Sequence, residues 1–90
     1  NSTNSPEAQQ AKRDLKKLEE QLQKIEHEIE SLEILKAETE EKMADPELYS
    51  DESKANKIQE SYQTIQSNLY EANAKWENLV EEISKLQELI

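Results

Sequence analysis

Along two stretches of this chain apolar residues recur at alternating three- and four-residue steps, and one short segment separates the two stretches. The first ladder runs Leu15, Leu18, Leu22, Ile25, Ile29 and Leu32. The second runs Ile58, Tyr62, Ile65, Leu69, Ala72, Trp76, Leu79, Ile83, Leu86 and Ile90. That spacing aligns apolar side chains along a narrow seam of an α-helix. A helix cannot cover its own stripe, so each ladder needs a partner, and a connection as short as residues 44–50 supplies the other ladder in antiparallel orientation. The expected fold is all-α: a two-helix antiparallel coiled-coil hairpin with a short helical turn at its tip.

The connection carries its own signals. Asp45 before Pro46 reads as a cap followed by a first-turn proline, and Pro46 stops the first helix by removing a backbone donor. Leu48 and Tyr49 are expected to fold back over Met43 and Ala55, Tyr49 as a lid or as an exposed contact. Ser50, followed by Asp51 and Glu52, is expected to cap the second helix. At the other end, Ser5-Pro6-Glu7 reads as a cap, a first-turn proline and a dipole-favoured acid. The domain reading is therefore a disordered linker over 1–5 and a hairpin over 6–90, with helices over about 6–44 and 51–90 and the tip at 45–50. Asn1-Ser2-Thr3 matches a glycosylation acceptor in form alone.

The expected core is Leu18, Leu22, Ile25, Ile29, Leu32, Ile65, Leu69, Trp76, Leu79 and Ile83. At Lys36 and Thr39 the first ladder turns polar, with Ile34 and Leu35 flanking it, which weakens the distal half of the seam. Facing positions in an antiparallel pair have residue numbers of nearly constant sum. A sum of about 94 centres the turn on Glu47, sets Ile29 beside Ile65 and Leu18 beside Trp76, and is the expected register. A sum of about 101 sets Ile25 beside Trp76 instead.

Ninety residues in two helices leave a line of side chains for a core, without room for a shielded pocket. Charged residues make up 36% of the chain and glycine is absent, as suits exposed helices and excludes a glycine-rich phosphate loop. No catalytic residue and no metal or cofactor site is expected in this segment. Acidic pairs such as Glu40-Glu41 and Glu81-Glu82 lack the enclosure that acid–base work requires, and His27 stands at an outermost heptad position between two glutamates. The chain has no cysteine and no apolar run of membrane-spanning length, so a cytoplasmic protein without membrane contact is expected.

Charge is polarised along the sequence. Lys12, Arg13, Lys16 and Lys17 cluster near the start of the first helix, whereas seven basic and nineteen acidic residues follow from Leu18 onward. Lys12 with Lys16, and Arg13 with Lys17, are four apart and form two adjacent rows on one helix surface. They are the candidate nucleic-acid contact. The plainer reading, and the one the residues favour, is that they offset nearby Glu19, Glu20, Glu81 and Glu82. A net charge of −10 weakens the case for phosphate binding elsewhere on the chain. Tyr62 and Trp76 fall in the seam and read as packing residues, while Tyr70 lies one position off it, open to a partner.

Asp45-Pro46-Glu47-Leu48-Tyr49-Ser50-Asp51, preceded by the heptad arm and followed by Leu69-Tyr70-Glu71 and Trp76-Glu77-Asn78-Leu79, resembles the C-terminal coiled-coil domain of ABC-F ATPases, the Uup-like group. The resemblance covers roughly residues 11–83. It implies a non-catalytic tail of a protein whose two ATP-binding cassettes, with their ATP and Mg, lie upstream. It also implies partners among DNA, ribosomal RNA, the ribosome or the cassettes themselves. The N-terminal helical domain of bacterial peptide-chain release factors is similar in its Asp-Pro tip, but the tryptophan arm favours the ABC-F likeness. A structural, oligomerising coiled coil is the alternative class. Against it, two continuous helices would hold Pro46 in mid-helix at a cost of about 3 kcal/mol, so a monomeric hairpin is expected.

Overall fold

The computed structural model describes residues 5–90. The glycosylation match and, except for Ser5, the linker reading over 1–5 lie outside them. The fold is all-α: helix α1 spans Pro6–Met43, a 3-10 turn spans Pro46–Ser50, and helix α2 spans Glu52–Gln87. The second helix ends before residue 90, where Leu89 N–H donates to Leu86 O and Ile90 N–H to Gln87 O, tightening the last turn.

α1 starts as its sequence dictates. Ser5 Oγ accepts the Ala8 amide at 3.1 Å and Ser5 O accepts the Gln9 amide at 3.0 Å, with Pro6 filling a position that has no donor to lose. The 3-10 turn is capped by Asp45, whose Oδ1 accepts the Glu47 amide at 3.0 Å. α2 departs from the expected cap. Asp51, not Ser50, holds its N-terminus, through Oδ1 to the Lys54 amide at 3.2 Å and its carbonyl to the Ala55 amide at 3.0 Å. Ser50 instead donates its hydroxyl back to Glu47 O at 2.6 Å, and so belongs to the tip turn.

The chain divides into two compact units, one formed by residues up to His27 with Asn73–Ile90, the other by Glu28–Ala72. In the first, α1 and α2 pair antiparallel along an apolar seam in which Ile25 and Ile83 are buried and Leu18, Leu22, Trp76 and Leu79 half-buried. Ala8 and Ala11 are buried too, small side chains that the list of expected core residues omits. In the second unit Ile65, Leu69 and Ala72 are buried, and Ile29, Leu32, Met43, Ile58 and Tyr62 half-buried. Every expected core residue is thus withdrawn from solvent at least in part, as a two-helix seam open on both sides allows.

The register differs from the expected one. Trp76 Nε1–H donates to Glu26 Oε2 at 3.0 Å in the first unit, and the Tyr62 hydroxyl donates to Glu40 Oε2 at 2.6 Å in the second. Both bonds set facing residue numbers to sum near 101 rather than 94, so Trp76 stands beside Ile25, not Leu18, and Ile65 beside Lys36, not Ile29. The reason lies in the tip. A connection centred on Glu47 assumes that both helices end level. In the observed register the start of α2 reaches about 9 Å past Met43, and the tip chain runs on past the end of α1 to meet it. Leu48 and Ala55 are half-buried there, and the Tyr49 hydroxyl reaches back to Met43 O at 2.6 Å. Tyr49 therefore acts as the lid: its hydroxyl satisfies a carbonyl at the end of α1, while the residue stays 55% exposed.

Candidate nucleic-acid interface

Lys12, Arg13, Lys16 and Lys17 lie within the first four turns of α1, in the unit completed by Asn73–Ile90. Helical periodicity sets them in two rows, and all four are exposed. Arg13 Nη2–H donates to Gln10 Oε1 at 2.9 Å, and Gln10 in turn donates to Asp14 Oδ1 at 2.9 Å. This chain of bonds holds the guanidinium along the helix surface. Among the described residues no ion pair ties any of the four cations to a carboxylate; the pair that does form is Lys85 with Glu81 on α2, at 3.5 Å. The offsetting role for Glu19, Glu20, Glu81 and Glu82 thus has no direct contact behind it, and the cations remain available to an external anion.

The tip residues Asp45, Pro46, Leu48 and Tyr49 are all committed to turn formation, capping or closure. His27 and the paired glutamates Glu40-Glu41 and Glu81-Glu82 are exposed. Tyr70 is the most open aromatic, at 79% exposure. No helix among the described residues is long and apolar enough to cross a membrane.

Two features escaped the sequence reading. Trp76 and Tyr62 are packing residues with a polar end. Each sends its one hydrogen-bond donor across the pair to a glutamate of α1, so that neither is left unsatisfied at the seam edge. The accepting carboxylate and partial burial hold the Tyr62 phenol above its usual value near 10.0. The available signal was the seven-residue recurrence of Glu19, Glu26, Glu33 and Glu40 beside the α1 seam. The other is a groove between α1 and α2 within Glu28–Ala72, lined by Leu32, Leu35 and Ile65 and flanked by Lys42 and Lys57.

With this geometry in view, comparison with known families is informative. The family model of the ABC transporter C-terminal domain matches residues 16–82, and the chain belongs to that family. The match takes in Lys16, Lys17, the tip and Trp76, and leaves Lys12 and Arg13 just outside it. No curated protein matches, and no solved structure does.

Proposed function

We propose that this chain is the non-catalytic C-terminal arm of an ABC-F ATP-binding protein and that it contacts nucleic acid through Lys12, Arg13, Lys16 and Lys17. Membership of the ABC transporter C-terminal domain family supports the first half of that reading. The observation that carries the second is the exposure of four clustered cations, none with a carboxylate partner among the described residues, on a chain of net charge −10. Phosphate binding draws its strength from such clusters through counterion release, and the acidic remainder confines the contact to one end of α1. On this reading ATP and Mg belong to cassettes upstream, the partner is DNA or ribosomal RNA, and the arm works in the cytoplasm as a monomeric hairpin.

Titration against fluorescent single- and double-stranded DNA and structured RNA tests the proposal. Four phosphate contacts give a slope of log affinity against log salt of about −3 to −4 on duplex, a loss of about a hundredfold between roughly 50 and 200 mM salt. Replacing all four cations with Glu abolishes binding while leaving the melting temperature close to that of the parent, because none of them packs in the seam. Absence of binding at the lowest salt, or binding that survives the substitutions, overturns the nucleic-acid assignment and moves the search to protein partners.

A further inference from the structure

We propose that the groove beside Leu35, within Glu28–Ala72, holds a third helix supplied by a partner protein, one that brings an apolar stripe flanked by carboxylates. The groove and the cationic rows belong to different units, and the proposal does not depend on the rows.

The first argument is the width of the apolar stripe. A two-stranded coiled coil uses only the narrow seam, whereas a helix covered on a second side adds the flanking position. Here Leu32 and Thr39 occupy the seam and Leu35 sits between them at the flank, 47% exposed. Apolar surface has moved out of the seam where the seam itself has turned polar. Lys36 is half-buried beside Ile65, and Thr39, 6% exposed, turns its hydroxyl to its own Leu35 O at 2.8 Å. Leu32, Leu35 and Ile65 line one trough that none of the described residues fills. A trough between two helices fits another helix, whose residues at i, i+3 and i+4 present a matching stripe.

The second argument is charge. Lys42 from α1 and Lys57 from α2 line the same groove, and neither forms an ion pair among the described residues. One carboxylate, Glu60, shares the wall. Two free ammonium groups from different helices at an apolar trough suit an occupant with acidic residues beside its stripe. A second copy of this chain is a poor occupant. Its heptad stripes are already consumed in its own seam, its other exposed large apolar residues, Ile34, Tyr49, Tyr70, Val80 and Leu89, are not spaced as a helical stripe, and it brings a further net charge of −10.

The test uses the isotope-labelled chain and a synthetic stapled helix of about three heptads, bearing leucines on one stripe and glutamates beside it. A matched peptide carries lysines in place of the glutamates. The glutamate peptide shifts the amide resonances of Leu35, Thr64 and Asn68 and leaves those of Lys12, Lys16 and Lys17 unmoved. Leu35→Ser weakens that binding about tenfold, as does the pair Lys42→Glu with Lys57→Glu. Ile34→Ser, on the same helix but outside the groove, leaves it unchanged. The lysine variant then prefers the lysine peptide, so the proposal stays testable even where Leu35→Ser alters the fold. Absent shifts, shifts centred elsewhere, or equal loss from Ile34→Ser overturn the proposal. So does duplex DNA producing the same shifts, or concentration-dependent self-association through these residues in sedimentation without peptide.

Discussion

The two units use the same heptad grammar and hold their helices together differently. In the unit that ends with Asn73–Ile90, the facing seam residues are apolar on both helices: Leu18 with Ile83, Leu22 with Leu79, Ile25 with Trp76. In Glu28–Ala72, Leu32 faces Leu69, but Lys36 faces Ile65 and Thr39 faces Tyr62. The first is cemented by area withdrawn from water. The second relies more on directed bonds, from Tyr62 to Glu40, from Tyr49 to the end of α1 and from Asp51 to the start of α2. Apolar area is worth about 25 cal/mol per Å² and takes little notice of orientation, whereas each hydrogen bond contributes about 1 kcal/mol and fixes a geometry. A seam can therefore lose apolar layers and stay aligned, at some cost in stability.

Matched truncations in the two units put that contrast to its hardest trial. Ile83→Ala is expected to cost about 3 kcal/mol and Ile65→Ala about 2 kcal/mol in urea unfolding, because the second leaves its cavity beside a lysine stem rather than a leucine. Equal losses would erase the distinction between apolar and mixed seams. Lys36→Leu converts one mixed layer to the apolar kind and is expected to raise stability by about 1 to 2 kcal/mol, read as a higher denaturant midpoint. A neutral or destabilising outcome would mean that the lysine stem already serves the seam fully.

Asp51→Ala removes the side-chain bond to the Lys54 amide at the start of α2 and is expected to cost about 1 kcal/mol, while Ser50→Ala costs less because its hydroxyl serves only the tip. The reverse order would restore Ser50 as the cap. The smallest effect concerns pH. Folding raises the Tyr62 pKa, so the native state keeps its proton after the unfolded chain has begun to lose it. The associated stability is fully present below the unfolded tyrosine value near 10.0 and is lost as pH rises through the higher folded value. Tyr62→Phe should flatten that part of the alkaline decline in melting temperature; an identical alkaline profile would discard the Glu40 contact as its source.

Much of this was readable in advance. The break at Pro46, the Ser5 and Asp45 caps and the membership of the seam follow from local chemistry, in which each residue type has one use at its position. The four cations of α1 were also visible as two rows, since i and i+4 on a helix always share a face. That none of them forms an ion pair among the described residues was not, because helical spacing does not fix the rotamers of exposed side chains. The Leu35 groove was half legible: the polar interruption of the seam was plain, but the trough needs Ile65 and Lys57 brought beside α1 by the fold.

What the sequence determined by itself is the secondary structure and the stripe, because a helix reports its own periodicity. What only the tertiary structure decided is the register. Sums near 94 and 101 differ by one heptad, and a heptad pattern is unchanged by such a slide. The glutamates do not break the tie, since Glu19, Glu26, Glu33 and Glu40 recur every seventh residue and offer Trp76 and Tyr62 a carboxylate in either alignment. The choice falls to the tip, where the chain through Leu48 and Tyr49 runs on past the end of α1 and carries the start of α2 one heptad past the symmetric position. Repetition fixes what meets at a seam in kind, and only a non-repeating piece of backbone fixes which copy meets which.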